Sequence, residues 1–218
     1  MSCWYQQGCK LYNENCEKTC HRYLEMKYLI DNCGMPNADK YIKPLTPEEI
    51  DLPSFIELKN LKDDILNFVE NGENLYIVSE NFGNGKTTWS LKLLYKYFDE
   101  VWCGNGFKPR GYFIYVPEFL NQLKLIDFRN SSEYKNLCKI INTVDLVVWD
   151  DIASSNLTNS DHVNLSSFID SRMLKGKSNI FTGNLLSEEL RQALGNRLHN
   201  RIWDNSKIVK FVGRGRRA

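Results

Sequence analysis

The sequence has no excess of charge of either sign. Lys and Arg together number 28 and Asp and Glu 27, which leaves a net charge of +1. Proteins that attract nucleic acid or an anionic membrane through their whole surface carry a strong excess of positive charge. Any basic contact surface on this chain must therefore be local.

The sequence also lacks a run of 18 apolar residues, and its first residues do not combine a basic region with an apolar stretch. A membrane-spanning helix needs about 20 apolar residues, and a secretory signal peptide needs both features. We therefore expect a cytoplasmic protein with no membrane partner. No internal repeat or low-complexity tract is present, so 218 residues predict one large domain and at most a small accessory unit.

Cysteine is scarce after residue 33 and dense before it. Five of the seven cysteines lie in this first segment, at positions 3, 9, 16, 20 and 33. Without a signal peptide, metal binding explains such a cluster better than disulfides do. Cys3, Cys9, Cys16 and Cys20 offer the four thiolates of a tetrahedral Zn²⁺ site, in which His21 could replace Cys20. Free core thiols and an iron–sulfur cluster are the alternatives.

A domain boundary is expected near residue 45, because 34–47 is rich in proline and polar residues. Residues 1–45 would form a cysteine-rich zinc-binding domain, and 46–218 an α/β domain. We call residues 1–45 the cysteine-rich head. An apolar run at 23–30 would dock this head on a partner protein or a neighbouring subunit, or pack it on the following domain. Three other cysteines are interpreted as small buried hydrophobes: Cys33, Cys103 and Cys138.

The most informative segment is Glu-Asn-Phe-Gly-Asn-Gly-Lys-Thr at 80–87, between an apolar run and an amphipathic stretch. Strand, phosphate loop and helix are predicted in that order, with backbone N–H groups wrapping a polyphosphate and the helix N-terminus facing it. Lys86 would reach the β- and γ-phosphates of ATP, and Thr87 would bind Mg²⁺. Glu80 occupies the first position of this loop, where the usual phosphate-loop motif has glycine. The predicted nucleotide-binding residues are Phe82, Gly83, Asn84, Gly85, Lys86, Thr87 and Thr88.

Strand and helix patterns alternate through the rest of the chain. Strands are predicted at 75–79, 112–116, 146–149, 179–182 and 208–212, and helices at 58–69, 87–97, 117–128, 132–141, 161–174 and 187–203. Such alternation is typical of an α/β fold with a parallel sheet and helices on both faces.

Polar residues follow two of the predicted strands. Asp150 and Asp151 end an apolar strand, and ligands gather at the carboxyl ends of parallel strands, so both acids would face the phosphate loop. Asp150 would hold Mg²⁺, and Asp151 would act as general base toward the attacking water. Asn184, and less strongly Thr182, would sense the γ-phosphate. An ordinary strand end and a turn are the alternatives.

Arg197 and Arg201 stand four residues apart and share one helix face. An arginine that reaches the γ-phosphate of a neighbouring subunit accelerates hydrolysis by about 10³–10⁵. The alternative is a solvated helix face.

Taken together, segments 82–87, 145–152, 168–172, 179–185, 194–201 and 210–217 resemble the AAA+ helicase-loader family of DnaC and DnaI, with the IstB transposition ATPases as close relatives. The resemblance implies a P-loop AAA+ three-layer sandwich with a five-stranded parallel sheet. It also implies an ATPase that forms a homo-oligomer, binds single-stranded DNA and recruits a hexameric replicative helicase in DNA replication. It makes Arg197 or Arg201 the arginine finger and Arg217 the second nucleotide sensor.

Departures from the family shape the remaining expectations. The family usually has Glu where this chain has Asp151, so hydrolysis would be slow and dependent on oligomer or DNA. A compact loader without a lid domain resembles a phage or mobile-element version. The alternatives are an IstB-like transposition helper, a nucleotide-switched non-catalytic adaptor and a small P-loop metabolite kinase. A basic cluster either grips DNA phosphates or is a solvated tail; it comprises Lys207, Lys210, Arg214 and Arg216.

Overall fold

The computed structural model describes residues 9, 12–13, 16, 19–36, 45–101, 106–153 and 157–214. The strands are β1 Asn74–Val78, β2 Gly111–Tyr115, β3 Leu146–Asp150, β4 Ser178–Gly183 and β5 Lys207–Lys210. The helices are α1 His21–Asp31, α2 Leu52–Asp63, α3 Ile65–Glu70, α4 Lys86–Val101, α5 Val116–Leu123, α6 Ile126–Asn130, α7 Ser132–Thr143, α8 Asn159–Leu174 and α9 Ser187–His199. A 3₁₀ turn, Glu49–Asp51, precedes α2, and a π-helical turn, Asn200–Asp204, follows α9.

The five strands form one parallel sheet in the order β2-β3-β4-β1-β5. Every residue of β3 and β4 is buried, as expected for central strands covered on both faces. The predicted parallel sheet is therefore confirmed. Because β4 lies between β1 and β3, the segments that follow these three strands meet at one edge of the sheet.

Alternate residues of the strands point into two separate hydrophobic layers. One layer packs against α1 to α4 and includes Leu75, Ile77 and Val148. The other packs against α5, α7, α8 and α9 and includes Tyr76, Val147 and Trp149. The arrangement is a three-layer sandwich, as predicted. None of the described helices combines the length and apolar character needed to cross a bilayer.

Several predicted element bounds differ from those observed. The helix predicted at 58–69 is two helices, because α2 begins at Leu52 with a proline in its first turn and the chain leaves the helical conformation at Asp64. The helix predicted at 117–128 is likewise divided between α5 and α6. The last strand, predicted to run to residue 212, ends at Lys210, since the next residues turn toward the loop after β1.

The described part of the cysteine-rich head packs against the sheet, which is the second of the two placements left open by the sequence. Met26, Leu29 and Cys33 are buried in the same hydrophobic layer as α4. The Phe113 N–H of β2 donates a hydrogen bond of 2.7 Å to the Cys33 carbonyl oxygen. Residues 1–8 and 37–44 lie outside the described part of the chain, so the division into two domains at residue 45 stays a prediction.

Replacing Gly34 should show how tightly the head is fixed. Gly34 has φ +69°, and an added Cβ would lie 2.6 Å from the Phe113 carbonyl oxygen. We expect Gly34→Ala to lower the free energy of unfolding by about 2–3 kcal/mol, from conformational strain plus the clash. Gly176→Ala is the matched control, because Gly176 has φ +62° but nothing lies within 4 Å of the added Cβ. Equal losses in urea denaturation of the two variants would contradict the tight fit.

A single arginine joins the starts of β3 and β4. The Arg172 guanidinium is fully buried. Its nitrogens donate to the carbonyl oxygens of Ile141, Val144, Asp145 and Ser178 and to the side chain of Asn179, over 2.5 to 3.2 Å. Burial lowers its pKa to about 9. Arg172 thus satisfies backbone acceptors at the edge of the sheet opposite the loop after β1.

Candidate nucleotide-binding site

The loop between β1 and α4 has the backbone of a phosphate loop. Gly83 and Gly85 have φ values of +81° and +86°, a region that side chains with a Cβ rarely adopt. The Gly85 carbonyl oxygen accepts from the Trp89 N–H at 2.8 Å, which begins the hydrogen bonding of α4. The Lys86 Nζ folds back over the loop and donates to the carbonyl oxygens of Ser79 (3.3 Å) and Asn81 (3.2 Å).

The predicted convergence of loop and strand acids appears at Asp150. The Thr87 hydroxyl donates to one Asp150 oxygen at 3.1 Å, and the Thr182 hydroxyl donates to the other at 2.7 Å. Burial raises the pKa of the Asp150 carboxyl, while the two hydroxyl donors oppose the rise. The start of α4 and the ends of β3 and β4 are therefore joined through one carboxylate.

Asp151 lies beside this carboxylate in a left-handed conformation, with φ +61°. Its backbone N–H donates to the Thr182 hydroxyl at 2.9 Å. Burial lowers the pKa of Lys86, and the charges of Asp151 and Asp150 counteract that effect. A cation and two acids thus share one partly buried site, the kind of environment in which ligand phosphates and metal ions bind.

These side chains line a cavity of about 760 Å³. The predicted site residues on its wall are Phe82, Gly83, Asn84, Gly85, Lys86, Thr87, Thr88, Asp150, Asp151, Thr182 and Asn184. The Asn184 Oδ1 is buried and has no hydrogen-bond partner among the described residues. The cavity therefore contains an oxygen acceptor to be satisfied by a ligand, metal or water. Gly34, Pro36 and Leu45 also line it, which the sequence did not predict.

The oxygens around the cavity suit Mg²⁺. Mg²⁺ prefers hard oxygen ligands and is usually bound by one or two carboxylates together with substrate phosphates. Thr87 and Asp150 supply a hydroxyl and a carboxylate that already contact each other. The predicted ligand pair thus fits the metal.

The phosphate loop is tied to the segment after β5, a feature that the sequence did not reveal. The Asn81 Nδ2 donates to the carbonyl oxygens of Val212 (3.1 Å) and Gly213 (3.0 Å), and the Asn84 Nδ2 donates to that of Gly213 at 2.6 Å. On the other side, the buried Asp51 carboxylate accepts from the backbone N–H groups of Val212 (2.7 Å) and Gly213 (3.2 Å). We call this set of contacts the 212–213 clamp.

The departure of Glu80 from the usual glycine is accommodated by an ion pair. Its carboxylate lies 3.2 Å from the Lys210 Nζ, and Lys207 pairs with Glu57 at 3.1 Å. Two lysines of the basic cluster, for which DNA binding and a solvated tail are the alternatives, therefore have acidic partners. Arg214 donates its backbone N–H to Glu48, and Arg216 lies outside the described residues.

Arg197 and Arg201 lie away from the cavity and share a different partner. The Arg197 Nε donates to Asp170 Oδ2 at 2.9 Å, and the Arg201 Nε donates to Asp170 Oδ1 at 2.7 Å. The helical stretch predicted at 187–203 is divided, because Gly195 has φ +73° and Arg201 belongs to the π-helical turn. Arg217 lies outside the described residues, so its assigned role stays a prediction.

The cysteine predictions have mixed outcomes. No three His, Cys, Asp or Glu side chains within the described ranges could hold a metal ion. Zinc is thus unsupported, and because Cys3 is not among these residues the four-cysteine site stays a prediction. Cys33 is buried as predicted, whereas Cys138 is only partly buried. Cys103 is outside the described ranges.

Replacing Asp150 by its neutral isostere should separate stability from ligand binding. The folded-state pKa of Asp150 lies above its ordinary value of 3.8, so keeping it ionised costs folding free energy at pH 7. We expect Asp150→Asn to melt at or above the temperature of the parent at pH 7. The difference should shrink as the pH falls toward 3.8, because the parent carboxyl then protonates in both states.

The same variant should lose Mg²⁺-dependent ATP turnover by at least about tenfold, because the amide removes the carboxylate charge. Melting curves at several pH values and a turnover assay measure the two effects. Asp127→Asn, an exposed acid on α6, is the control. A large drop in melting temperature at pH 7 for Asp150→Asn would contradict the expected cost of the buried charge.

The sheet order, the phosphate loop and the strand acids define a P-loop protein of the AAA+ fold, as predicted. A search of solved structures places helicase loaders among the similar chains. The structure described as the DnaC helicase loader aligns with a TM-score of 0.65 and 21% identity over 80% of this chain and 96% of that one. The structure of DnaI aligns with a TM-score of 0.64 and 18% identity over 82% of this chain and 95% of that one.

A replication initiator has the same core fold. DnaA bound to AMPPCP and single-stranded DNA aligns with a TM-score of 0.60 and 14% identity over 80% of this chain and 49% of that one. At these identities the similarity shows the fold alone. No protein-family model matches the sequence, and no curated protein matches it either.

Proposed function

We propose that this protein is an ATP-dependent helicase loader acting in DNA replication. The observation that carries the proposal is the cavity in which Lys86 and Thr87 meet Asp150 and Asp151, on a fold similar to those of DnaC and DnaI. A phosphate loop facing two acids is suited to a triphosphate and its Mg²⁺. Both helicase-loader structures match almost their whole length to this chain, with TM-scores above that of the replication initiator DnaA.

Each side chain has a defined task in the proposed reaction. Lys86 leaves the loop carbonyls that it contacts and neutralises the β- and γ-phosphates of ATP. Thr87 and Asp150 would hold Mg²⁺, which would supply positive charge against the charge that develops on the phosphates. Asn184 orients the attacking water with its buried amide oxygen. The water oxygen bonds to the γ-phosphorus, the bond to the β–γ bridging oxygen breaks, ADP leaves with that electron pair, and Asp151 takes the proton of the water.

The hydrolysis is expected to be slow and to depend on assembly. Asp151 is a methylene shorter than the glutamate usual in the family, and its carboxylate starts from a left-handed backbone. The candidate arginine fingers are not on the cavity wall of their own subunit, so a second copy must supply them. The proposed protein therefore acts as a homo-oligomer. Its other partners, single-stranded DNA and a hexameric replicative helicase, follow from the proposed loader function.

A metabolite kinase is less consistent with the cavity. Kinases of this class usually cover the phosphates with arginines, whereas Lys86 is the single basic residue among the described ones that line the cavity. A non-catalytic adaptor is consistent with Asp151, whose side chain is one methylene shorter than that of glutamate. Turnover distinguishes it from the loader, since an adaptor keeps its ATP intact.

The test measures two properties of the intact protein. ATP turnover should rise when a single-stranded oligonucleotide is added. A hexameric replicative helicase should be retained on circular single-stranded DNA after gel filtration only when this protein and ATP are both present. ATP that remains intact after long incubation with DNA and helicase would favour the adaptor, and retention of the helicase without this protein would contradict the loader.

A further inference from the structure

Arg197, near the end of α9, and Arg201, in the π-helical turn that follows, are oriented by one buried carboxylate. Asp170, on α8, has a side chain that is 10% exposed, whereas the side chains of Arg197 and Arg201 are 74% and 38% exposed. Each carboxylate oxygen serves a different arginine, Oδ2 for Arg197 and Oδ1 for Arg201. A single acid thus fixes both guanidinium groups relative to α8.

The charges of this cluster do not cancel. Two guanidinium groups and one carboxylate leave one net positive charge, and the carboxylate occupies only one side of each guanidinium. Arg197 uses its Nε and Nη2 toward Asp170, and Arg201 uses its Nε. A guanidinium has five N–H donors in a rigid fork, so donors remain for an anion, and the fork geometry suits phosphate.

The backbone around the arginines is shaped to reach Asp170. Gly195 breaks α9 with φ +73° and ψ +165°, and the next turns run through the π-helical segment Asn200–Asp204. Breaks of this kind re-aim the side chains that follow them. Both arginines come after the break, and both contact the same acid.

We propose that Asp170 is a positioning residue that aims Arg197 and Arg201 at the nucleotide phosphates of a neighbouring copy of this chain. The inference rests on the proposed ATPase function. Long arginine side chains lose considerable conformational entropy when they bind. A carboxylate that holds them in advance removes part of that cost before the phosphate arrives. Asp170 itself touches neither substrate nor water in this proposal.

The test compares two carboxylate-to-amide variants. Asp170→Asn keeps the shape of the side chain but removes its charge. Asp145→Asn is the matched control, because Asp145 also bridges two cations, Arg110 at 2.6 Å and Lys177 at 2.7 Å, but neither is a candidate finger. At protein concentrations at which both proteins are monomeric, we expect Asp170→Asn to bind ATP with an unchanged Kd. Its turnover in the presence of single-stranded DNA should fall at least tenfold. Asp145→Asn should keep its turnover.

Assembly gives a readout that does not depend on hydrolysis. With a non-hydrolysable ATP analogue, arginines that contact the phosphates of a neighbour should promote oligomer formation. In analytical ultracentrifugation, Asp170→Asn should need at least a severalfold higher protein concentration than the parent to assemble. Unchanged assembly together with unchanged turnover would overturn the inference.

Mixing two variants distinguishes action on a neighbour from a structural role. Lys86→Ala has a defective cavity but an intact arginine cluster, and Asp170→Asn has the reverse. In an equal mixture about one interface in four joins an intact cavity to an intact cluster, because the contact is head-to-tail. We expect the mixture to recover about a quarter of the parent turnover, which is more than either variant shows alone. No recovery would overturn the proposed action on a neighbour.

The inference and the proposed function fail in different ways. A parent protein that neither binds nor hydrolyses ATP would refute the proposed function and this inference with it. A parent that hydrolyses ATP and is matched by Asp170→Asn would refute the role of Asp170 alone.

Discussion

Lys86→Ala should bind ATP at least about 100-fold more weakly than the parent, a loss of about 2.7 kcal/mol. The lysine is the cation of the phosphate loop, and charge-assisted hydrogen bonds to phosphate are among the strongest polar contacts. Its Nζ contacts two loop carbonyl oxygens at 3.2 and 3.3 Å, and burial lowers its pKa. The apo protein therefore gains little stability from this charge, and the ligand-free variant should melt within a few degrees of the parent.

Calorimetry with ATP and Mg²⁺ measures the affinity, and melting curves measure the stabilisation. At a ligand concentration of about 100 times the parent Kd, the parent should gain about 2.7 kcal/mol from ATP, and the variant at most about 0.4 kcal/mol. Lys92→Ala is the control on the same helix, since burial also lowers the pKa of Lys92 but the residue does not line the cavity. Unchanged ATP affinity in Lys86→Ala would show that the loop after β1 is not the nucleotide site.

Arg172→Met should lower the free energy of unfolding by about 4 kcal/mol. The thioether has a similar length but no donors, so four carbonyl oxygens and the Asn179 amide oxygen would lose the hydrogen bonds that Arg172 donates. The Asp145 carbonyl oxygen would keep the Ser178 N–H as donor and the Asn179 oxygen would keep Trp149 Nε1, whereas the other three carbonyl oxygens would lose their side-chain partner. For a chain of this size the melting temperature should fall by about 12 °C. The contacts lie at the edge of the sheet opposite the phosphate loop, so the ATP affinity of the folded fraction should persist.

Two further variants test the reason for that loss. Arg172→Lys keeps the charge but offers one donor group in place of the planar fork, and its loss should be intermediate. Arg191→Met removes an exposed arginine that pairs with Glu188 on the surface, and it should change stability by less than about 0.5 kcal/mol. If Arg172→Met and Arg191→Met had the same melting temperature, the buried hydrogen bonds of Arg172 would make no net contribution to stability.

The parts of the fold that could be predicted are those with a local signal. Buried parallel strands appear as short apolar runs, and the glycines of the loop after β1 mark a backbone that few other residues adopt. The contact between Thr87 and Asp150 follows from the geometry of a parallel sheet, whose strand ends meet at one edge. For this reason most predicted cavity residues lie together.

The parts that could not be predicted depend on contacts between distant segments. Nothing in the apolar spacing of 58–69 distinguishes one helix from two that break at Asp64. Asp170 lies in an apolar stretch of α8, and an acid at such a position could have been flagged as a buried partner for a cation, but its two arginines are 27 and 31 residues away. The packing of the head depends likewise on the contact between Cys33 and Phe113.

The 212–213 clamp has a thermodynamic consequence. Loops rich in glycine usually sample many conformations, and freezing them when a ligand arrives weakens the affinity. Here two asparagines fasten the loop to a segment that Asp51 holds from behind. Most of that disorder is thus already removed while the chain folds, so the entropy lost by the protein when ATP enters should be small.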